Sequence, residues 1–286
     1  MIVTADDFGL AVQVNEAIEA AHRHGILTAA SLMVAGKAAS DAVRRARLLP
    51  ALKVGLHLVL VDGRPVAPAA AVPDLIGADG SFHQDMVATS IAIAVNPKVR
   101  RQVAVEIAAQ FERFQATGLA LDHVDAHKHF HLHPVIGALV CQIGRQYGMQ
   151  ALRAPVEPAA IVTRAESLFS PVAPERGMLS TLAVTLTRRF ATRLQRRIRR
   201  QGLKTADQVF GLAWSGALTT ARLCALLPHL PEGVTEIYCH PAIADTFAGR
   251  APGYRYRDEL AALLARRTAQ AIRDNDVRLA TYSDLT

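Results

Sequence analysis

Two hydrophobic periods alternate along the chain. Ile2 to Thr4 is a short β-branched run, and the segment behind it, Ala11 to His24, sets Val12, Val14, Ala17, Ile18 and Ala21 at helical spacing. The unit recurs. Ala29 to Val34 reads as strand and Ala38 to Leu48 as helix, Val54 to Leu60 as strand and Pro97 to Thr117 as helix. Leu121 to Val124 is then a strand, Pro134 to Tyr147 a helix and Ala151 to Arg153 a short strand. Further on, Gln208 to Ala213 (strand), Thr220 to Leu227 (helix), Val234 to Tyr238 (strand), Arg257 to Asn275 (helix) and Val277 to Tyr282 (strand) complete the series. Strands alternating with helices imply βαβ units and a parallel sheet with right-handed crossovers. We expect a single α/β domain over 1–286, a distorted (β/α) barrel. Two stretches break the rhythm. Asp62 to Gln84 is a long Gly- and Pro-rich excursion, and loops of that length are usually functional. Residues 156–207 read as a basic helical insertion on the barrel surface.

Composition narrows the class. With 286 residues, 51% hydrophobic and 20% charged, the chain can bury a large core, which excludes wholesale disorder. No signal-peptide pattern opens it and no run reaches the ~20 apolar residues of a bilayer span, so a cytoplasmic protein is expected. Cys141, Cys224 and Cys239 are scattered without a CxxC and read as reduced. The net charge of +7 is local: Arg188 to Lys204 holds seven Arg, one Lys and no acid, more positive charge than the whole chain carries net.

In a parallel barrel, residues just past the C-terminal ends of strands converge on one mouth. Asp6-Asp7, His57, the run Asp122 to His133 and His240 all qualify. Adjacent carboxylates repel, which favours a cation or a shared proton beside them; a helix N-cap pair ahead of Ala11 is the plainer alternative. Read as extended chain, His123, Asp125, His127, His129, His131 and His133 share one face. Imidazole and carboxylate together are zinc-type ligands. A metal-scavenging His tract is the alternative, opposed by the interleaved Val124, Ala126, Phe130 and Leu132.

Ala5-Asp6-Asp7-Phe8-Gly9, Gly55-Leu56-His57, His123-Val124-Asp125-Ala126-His127 and Cys239-His240-Pro241-Ala242, in that order, resemble the YdjC-like carbohydrate deacetylases. The segments Gly55 to Pro65, Ala126 to Pro134, Phe210 to Gly216 and Pro252 to Tyr256 are similar to the hopanoid-biosynthesis-associated subgroup, linked to deacetylation of an N-acetylglucosaminyl hopanoid lipid. The resemblance implies one divalent metal ion, Zn or Mg with Ni, Co or Mn as alternatives, held by Asp7, His57 and His127. It also implies Asp6 as general base, His240 as general acid and Arg153 as the partner that orients Asp6. Lys128 departs from the family pattern, where His is common. His123, Asp125, His129, His131 and Trp214 remain as substrate-contacting or ligand-supporting candidates.

Two rivals stay open. A barrel phosphoesterase could use the same Asp/His set, although no phosphate loop or GxSxG elbow is present. Arg188 to Lys204 could bind nucleic acid, yet Phe190 is its lone aromatic platform, and no nucleic-acid partner is expected. In that region Leu182, Leu186, Phe190, Leu194 and Ile198 recur every four residues beside dense Arg. Such a helix can lie on an anionic membrane, placing the enzyme peripherally on the inner face of the cytoplasmic membrane, or can pack its stripe on the barrel. Homodimerisation is left undecided.

Overall fold

The computed structural model describes residues 1–168 and 178–285, with backbone alone for 178–185. The strands are β1 (Ile2–Phe8), β2 (Ala29–Leu32), β3 (Lys53–Leu58), β4 (Leu121–Ala126), β5 (Gln208–Phe210) and β6 (Thr235–Cys239). They form one curled parallel sheet in the order β4-β3-β2-β1-β6-β5. β1 is buried at every position, as a strand covered on both faces must be. The helices are α1 (Val12–His24), α2 (Ala39–Arg47), α3 (Met86–Val95), α4 (Pro97–Gln115), α5 (Pro134–Gln146), α6 (Ala159–Glu166), α7 (Met178–Arg200), α8 (Thr220–Leu226), α9 (Tyr256–Leu264) and α10 (Arg266–Asp274).

Where a regular barrel would have further strands, isolated bridges join the sheet's two edges. Val124 of β4 bridges Leu152, Ala151 bridges Lys204, and Val209 of β5 donates to the Val156 carbonyl at 3.0 Å. Ala151 to Arg153 therefore completes the curl without becoming a strand. Val277 to Tyr282 also fails to form one: Ala280 bridges Ile2, and a Thr281/Asp284 capping box then starts a 3-10 turn over Tyr282–Asp284. The helix expected over Arg257 to Asn275 breaks at Ala265, whose ψ of 126° is extended. The Thr268 hydroxyl donates to the Ala262 carbonyl at 2.8 Å, satisfying an acceptor the unbroken helix would have used.

The excursion Asp62 to Gln84 is tied down by one face of α4. Gln102, Glu106 and Gln110, four residues apart and all buried, present their side chains to it. Gln102 Oε1 accepts from Asp74 N at 2.8 Å, the Glu106 carboxylate accepts from Val66 N and Ala67 N at 2.9 Å each, and Gln110 Oε1 accepts from Val59 N at 2.9 Å. These side chains supply the acceptors a neighbouring strand would have offered.

The insertion reading of 156–207 includes residues 169–177 and the Leu182 side chain, which lie outside the described residues. Within the rest, α7 divides the apolar stripe, whose Leu186 is exposed at 49%. Leu194 and Ile198 are buried, at 6% and 0% exposure, because the helix packs that edge inwards, with Leu194 against Gly137 of α5. The seven arginines from Arg188 to Arg200 are exposed. Among the described residues no helix is long and apolar enough to cross a membrane.

Candidate active site

Successive side chains of a strand point to opposite faces, so Asp6 and Asp7 should diverge. A bulge prevents this. From Ala5 to Phe8, β1 advances three residues while β2 advances two from Ala30 to Leu32, and Asp7 takes a φ of 63°. The turn that follows is held by buried Asn15, whose Oδ1 accepts from Gly9 N at 2.8 Å. The N-cap alternative falls away, because Ala11 caps α1 and no side chain bonds there.

Three donor atoms converge at the mouth. Asp7 Oδ1 lies 3.3 Å from His57 Nε2 and 3.3 Å from His127 Nδ1, and those nitrogens lie 3.4 Å apart. Asp7 Oδ1 is buried and has no hydrogen-bond partner among the described residues. Ligands around a tetrahedral ion with ~2.1 Å bonds sit about 3.4 Å apart, so this triangle fits a divalent metal. His57 Nδ1 meets Asp125 Oδ1 at 2.8 Å, which directs the Nε2 lone pair to the triangle. A second group, Asp6, His57 and Asp125, is also close enough for an ion. It fits less well, since both Asp6 oxygens and both Asp125 oxygens already have donors.

Those donors centre on Arg153, wholly buried. Nη1 and Nη2 hold the two Asp6 oxygens at 2.7 and 2.9 Å, Nη1 meets Asp125 Oδ2 at 2.6 Å, and Nε and Nη2 hold Glu236 at 3.0 and 2.9 Å. One guanidinium thus faces three carboxylates, with Asp7 a fourth nearby, a surplus of negative charge that a cation would relieve. Burial pushes Asp6 up despite Arg153, leaving a carboxylate with an enhanced affinity for protons. Burial works against ionisation of Asp7 too, but the facing imidazoles of His127 and His57 hold it well below the usual range. For His57, burial is outweighed by Asp125 and Asp7, which raise it well above ordinary imidazole. The pocket attracts positive charge, whether proton or metal.

Residues 1–274 match the family described as YdjC-like protein. The chain belongs to the YdjC-like family. It is 31% identical to a carbohydrate deacetylase of Geobacillus stearothermophilus, across 99% of this chain and 96% of that one. It is 32% identical to a carbohydrate deacetylase of Brevibacillus brevis, across 100% and 99%. The crystal structure of a putative cellobiose-phosphate cleavage protein from Enterococcus faecalis V583 superposes with a TM-score of 0.74 at 24% identity, covering 100% of this chain and 98% of that one, and shares the fold.

The mouth of this YdjC-like chain opens into a cleft of about 1070 Å³ that includes Asp6, Asp7, His57, His127, His129 and His240. The excursion forms one wall through Asp62, Arg64, Asp79 and Phe82, and Tyr238, Tyr254 and Tyr256 line it elsewhere. His240 contributes Nδ1, buried, without a hydrogen-bond partner among the described residues and 3.9 Å from Glu259 Oε2, while its backbone N–H donates to buried Glu259. The extended reading of Asp122 to His133 holds as far as Asp125. His127 to Leu132 is a 3-10 turn in which Lys128 and His129 have φ near 50° (53° and 52°), so the single imidazole face is lost.

Most of the substrate-contacting candidates therefore lie elsewhere. His129 reaches the cleft, its Nε2 3.0 Å from the Tyr238 hydroxyl. His131 is enclosed with Nε2 donating to the Arg153 carbonyl at 2.9 Å, and burial lowers it to about 4, so the ring is neutral. His123 and Asp125 are enclosed at 0% exposure, beneath the mouth. Trp214 is buried as well, its Nε1 donating to Glu166 at 2.8 Å, and its neighbour Ser215 faces the cleft instead, bonded to the Tyr254 hydroxyl at 2.8 Å. No local pattern marks Tyr238, Tyr254 or Ser215 as cleft residues; the available signals are position near the end of β6 for Tyr238 and the Phe210 to Gly216 and Pro252 to Tyr256 segments for the other two.

Proposed function

We propose that the protein is a metal-dependent carbohydrate deacetylase that hydrolyses the N-acetyl group of an amino sugar. The observation that carries this is the Asp7, His57 and His127 triangle, with Asp6 and His240 lining the same cleft. A divalent ion there would make water acidic enough to ionise near neutral pH and would polarise the acetyl carbonyl. Two imidazoles and one carboxylate favour Zn or a neighbouring transition ion such as Ni, Co or Mn over Mg. Asp6, aimed by Arg153 and with raised proton affinity, takes a proton from water. His240, which lines the same cleft, delivers a proton to the departing nitrogen. One water and one amide leave as acetate and a free amine.

The test is acetate release from N-acetylglucosaminyl substrates with and without chelator. Chelator-insensitive turnover, or phosphate release from a phosphoester with no acetate from the amides, would reject the reading. For the substrate's carrier, the hopanoid-like sequence segments support a lipid-linked N-acetylglucosamine. Membrane contact would rest on the exposed arginines of α7 and on α3, which exposes Val87 at 70%, Ile91 at 59% and Val95 at 71%. Absence of co-sedimentation with anionic vesicles would remove that part alone.

A further inference from the structure

The mechanism leaves unused a chain of buried polar groups behind His57. Asp122 Oδ2 lies 2.9 Å from His123 Nδ1, His123 Nε2 lies 3.0 Å from Ser31 Oγ, and Ser31 Oγ lies 2.9 Å from Asp125 Oδ2. Asp125 Oδ1 then meets His57 Nδ1. A buried chain of this kind must place one hydrogen between each pair of atoms, so hydrogens can be counted along it.

The count starts at Asp125. Its Oδ2 already accepts from Arg153 Nη1 at 2.6 Å, so this oxygen is an acceptor and the Ser31 hydroxyl must donate to it. A serine has one hydrogen. Ser31 therefore turns only a lone pair towards His123, and His123 Nε2 must carry a hydrogen. At the other end, Asp122 Oδ1 accepts from the backbone N–H of Ser283 at 3.0 Å and from its hydroxyl; burial opposes ionisation, but His123 and Ser283 outweigh it and hold Asp122 below the usual range, as a carboxylate. Oδ2 of that carboxylate needs a donor as well, and His123 Nδ1 is the atom facing it. Both ring nitrogens are thus required to be protonated.

We propose that His123 is a permanent imidazolium that acts as a positioning residue: through Ser31 it fixes the orientation of Asp125 and so the tautomer of His57. The surroundings suit a cation. The Tyr282 ring stacks on His123 with centroids 4.8 Å apart and planes at 23°, offering an electron-rich face. On the sheet side Gly55 makes room: a Cβ there would lie 2.6 Å from the imidazole. Asp122 closes the remaining side, and with its charge adjacent the pair is neutral overall. Every hydrogen then points the same way, from His123 to Ser31 to Asp125, while His57 donates to Asp125 from the opposite side, so that Nε2 is the ring nitrogen turned to the metal triangle.

The test has two arms on the full chain. In the first, ¹⁵N-histidine NMR of the metal-free protein at pH 8 should show both His123 nitrogens protonated; a neutral-ring signature there overturns the proposal. In the second, which rests on the proposed metal site, Zn²⁺ affinity is measured by chelator competition for the parent, Ser31→Ala and His123→Gln. Ser31→Ala removes one hydroxyl without adding volume, and about a tenfold or greater weakening is expected, in the range for groups that support ligands. The His57 Nδ1–H resonance should move with it, a change that loss of packing alone would not produce. Unchanged Zn²⁺ affinity and an unmoved His57 resonance in both variants would overturn the positioning role. A parent chain that binds no Zn²⁺ would count against the metal site, leaving the first arm to decide the imidazolium.

Discussion

Replacing Arg153 by Met keeps the bulk of the side chain and deletes the charge that Asp6, Asp125 and Glu236 share. Arg153 makes its contacts at 2.6 to 3.0 Å and is wholly enclosed. Removing one partner of a buried ion pair costs about 3–5 kcal/mol, because the other charge is stranded. Here three are stranded, so about 5 kcal/mol is a lower expectation at pH 8, or a fall of roughly 10 °C or more in melting temperature for a chain of this size. The pH dependence identifies the cause. In the parent, Asp125 is held well below the usual carboxylate range: burial opposes this, and Arg153 and His57 outweigh it. Its contribution is complete above the unfolded value of about 3.9 and is lost as pH falls below that. In the variant the stranded carboxylates have raised values, so their penalty is full at alkaline pH and is relieved as they take up protons on acidification. Melting followed by circular dichroism at pH 5 and pH 8, with chelator throughout, should show the gap between parent and variant narrowing at pH 5. A variant melting within about 1 °C of the parent at pH 8, or a gap that widens at pH 5, would refute the charge-sharing account.

Asp7→Ala, His57→Ala and His127→Ala should each remain folded and lose bound metal and acetate release; elemental analysis of the purified variants checks this, and full occupancy in all three would dismiss the triangle. Asp6→Asn should retain metal and lose turnover by ~10² or more, as removal of a general base requires; loss of metal instead would exchange the roles of the two aspartates. Glu106→Ala strands the N–H groups of Val66 and Ala67 and should lower stability by about 2–4 kcal/mol, read by urea titration, with the larger effect on amide exchange in 62–84 than in β1.

The strand ends could be read from sequence because burial on both faces forces continuous apolar runs, and a polar residue directly after such a run stands out. Asp6, His57 and His240 were visible for that reason. What Asp7 does depends on a left-handed backbone at a bulge, and no residue type there announces it. The same limit applies to Lys128 and His129: two consecutive left-handed residues end an alternation that runs correctly through His123 and Asp125. Ala151 to Arg153 reads as a short strand, but its bridges are too sparse to make one. Helix α3 went unseen because its apolar residues surround it without a buried stripe; only Thr89 and Ile93 are buried. Trp214 shows the converse error, a large aromatic beside the cleft that serves the core.

The ladder of Gln102, Glu106 and Gln110 bears on selectivity. A loop that closes over its substrate spends part of the binding energy on becoming ordered, and poor substrates fail by not closing it. The wall formed by Asp62, Arg64, Asp79 and Phe82 is fastened to α4 when the chain folds, so its ordering entropy is already settled when a sugar arrives. Discrimination at this wall is therefore a matter of fit to a fixed contour. Changes of residue between the latch points can reshape the contour while the barrel and its carboxylates stay as they are.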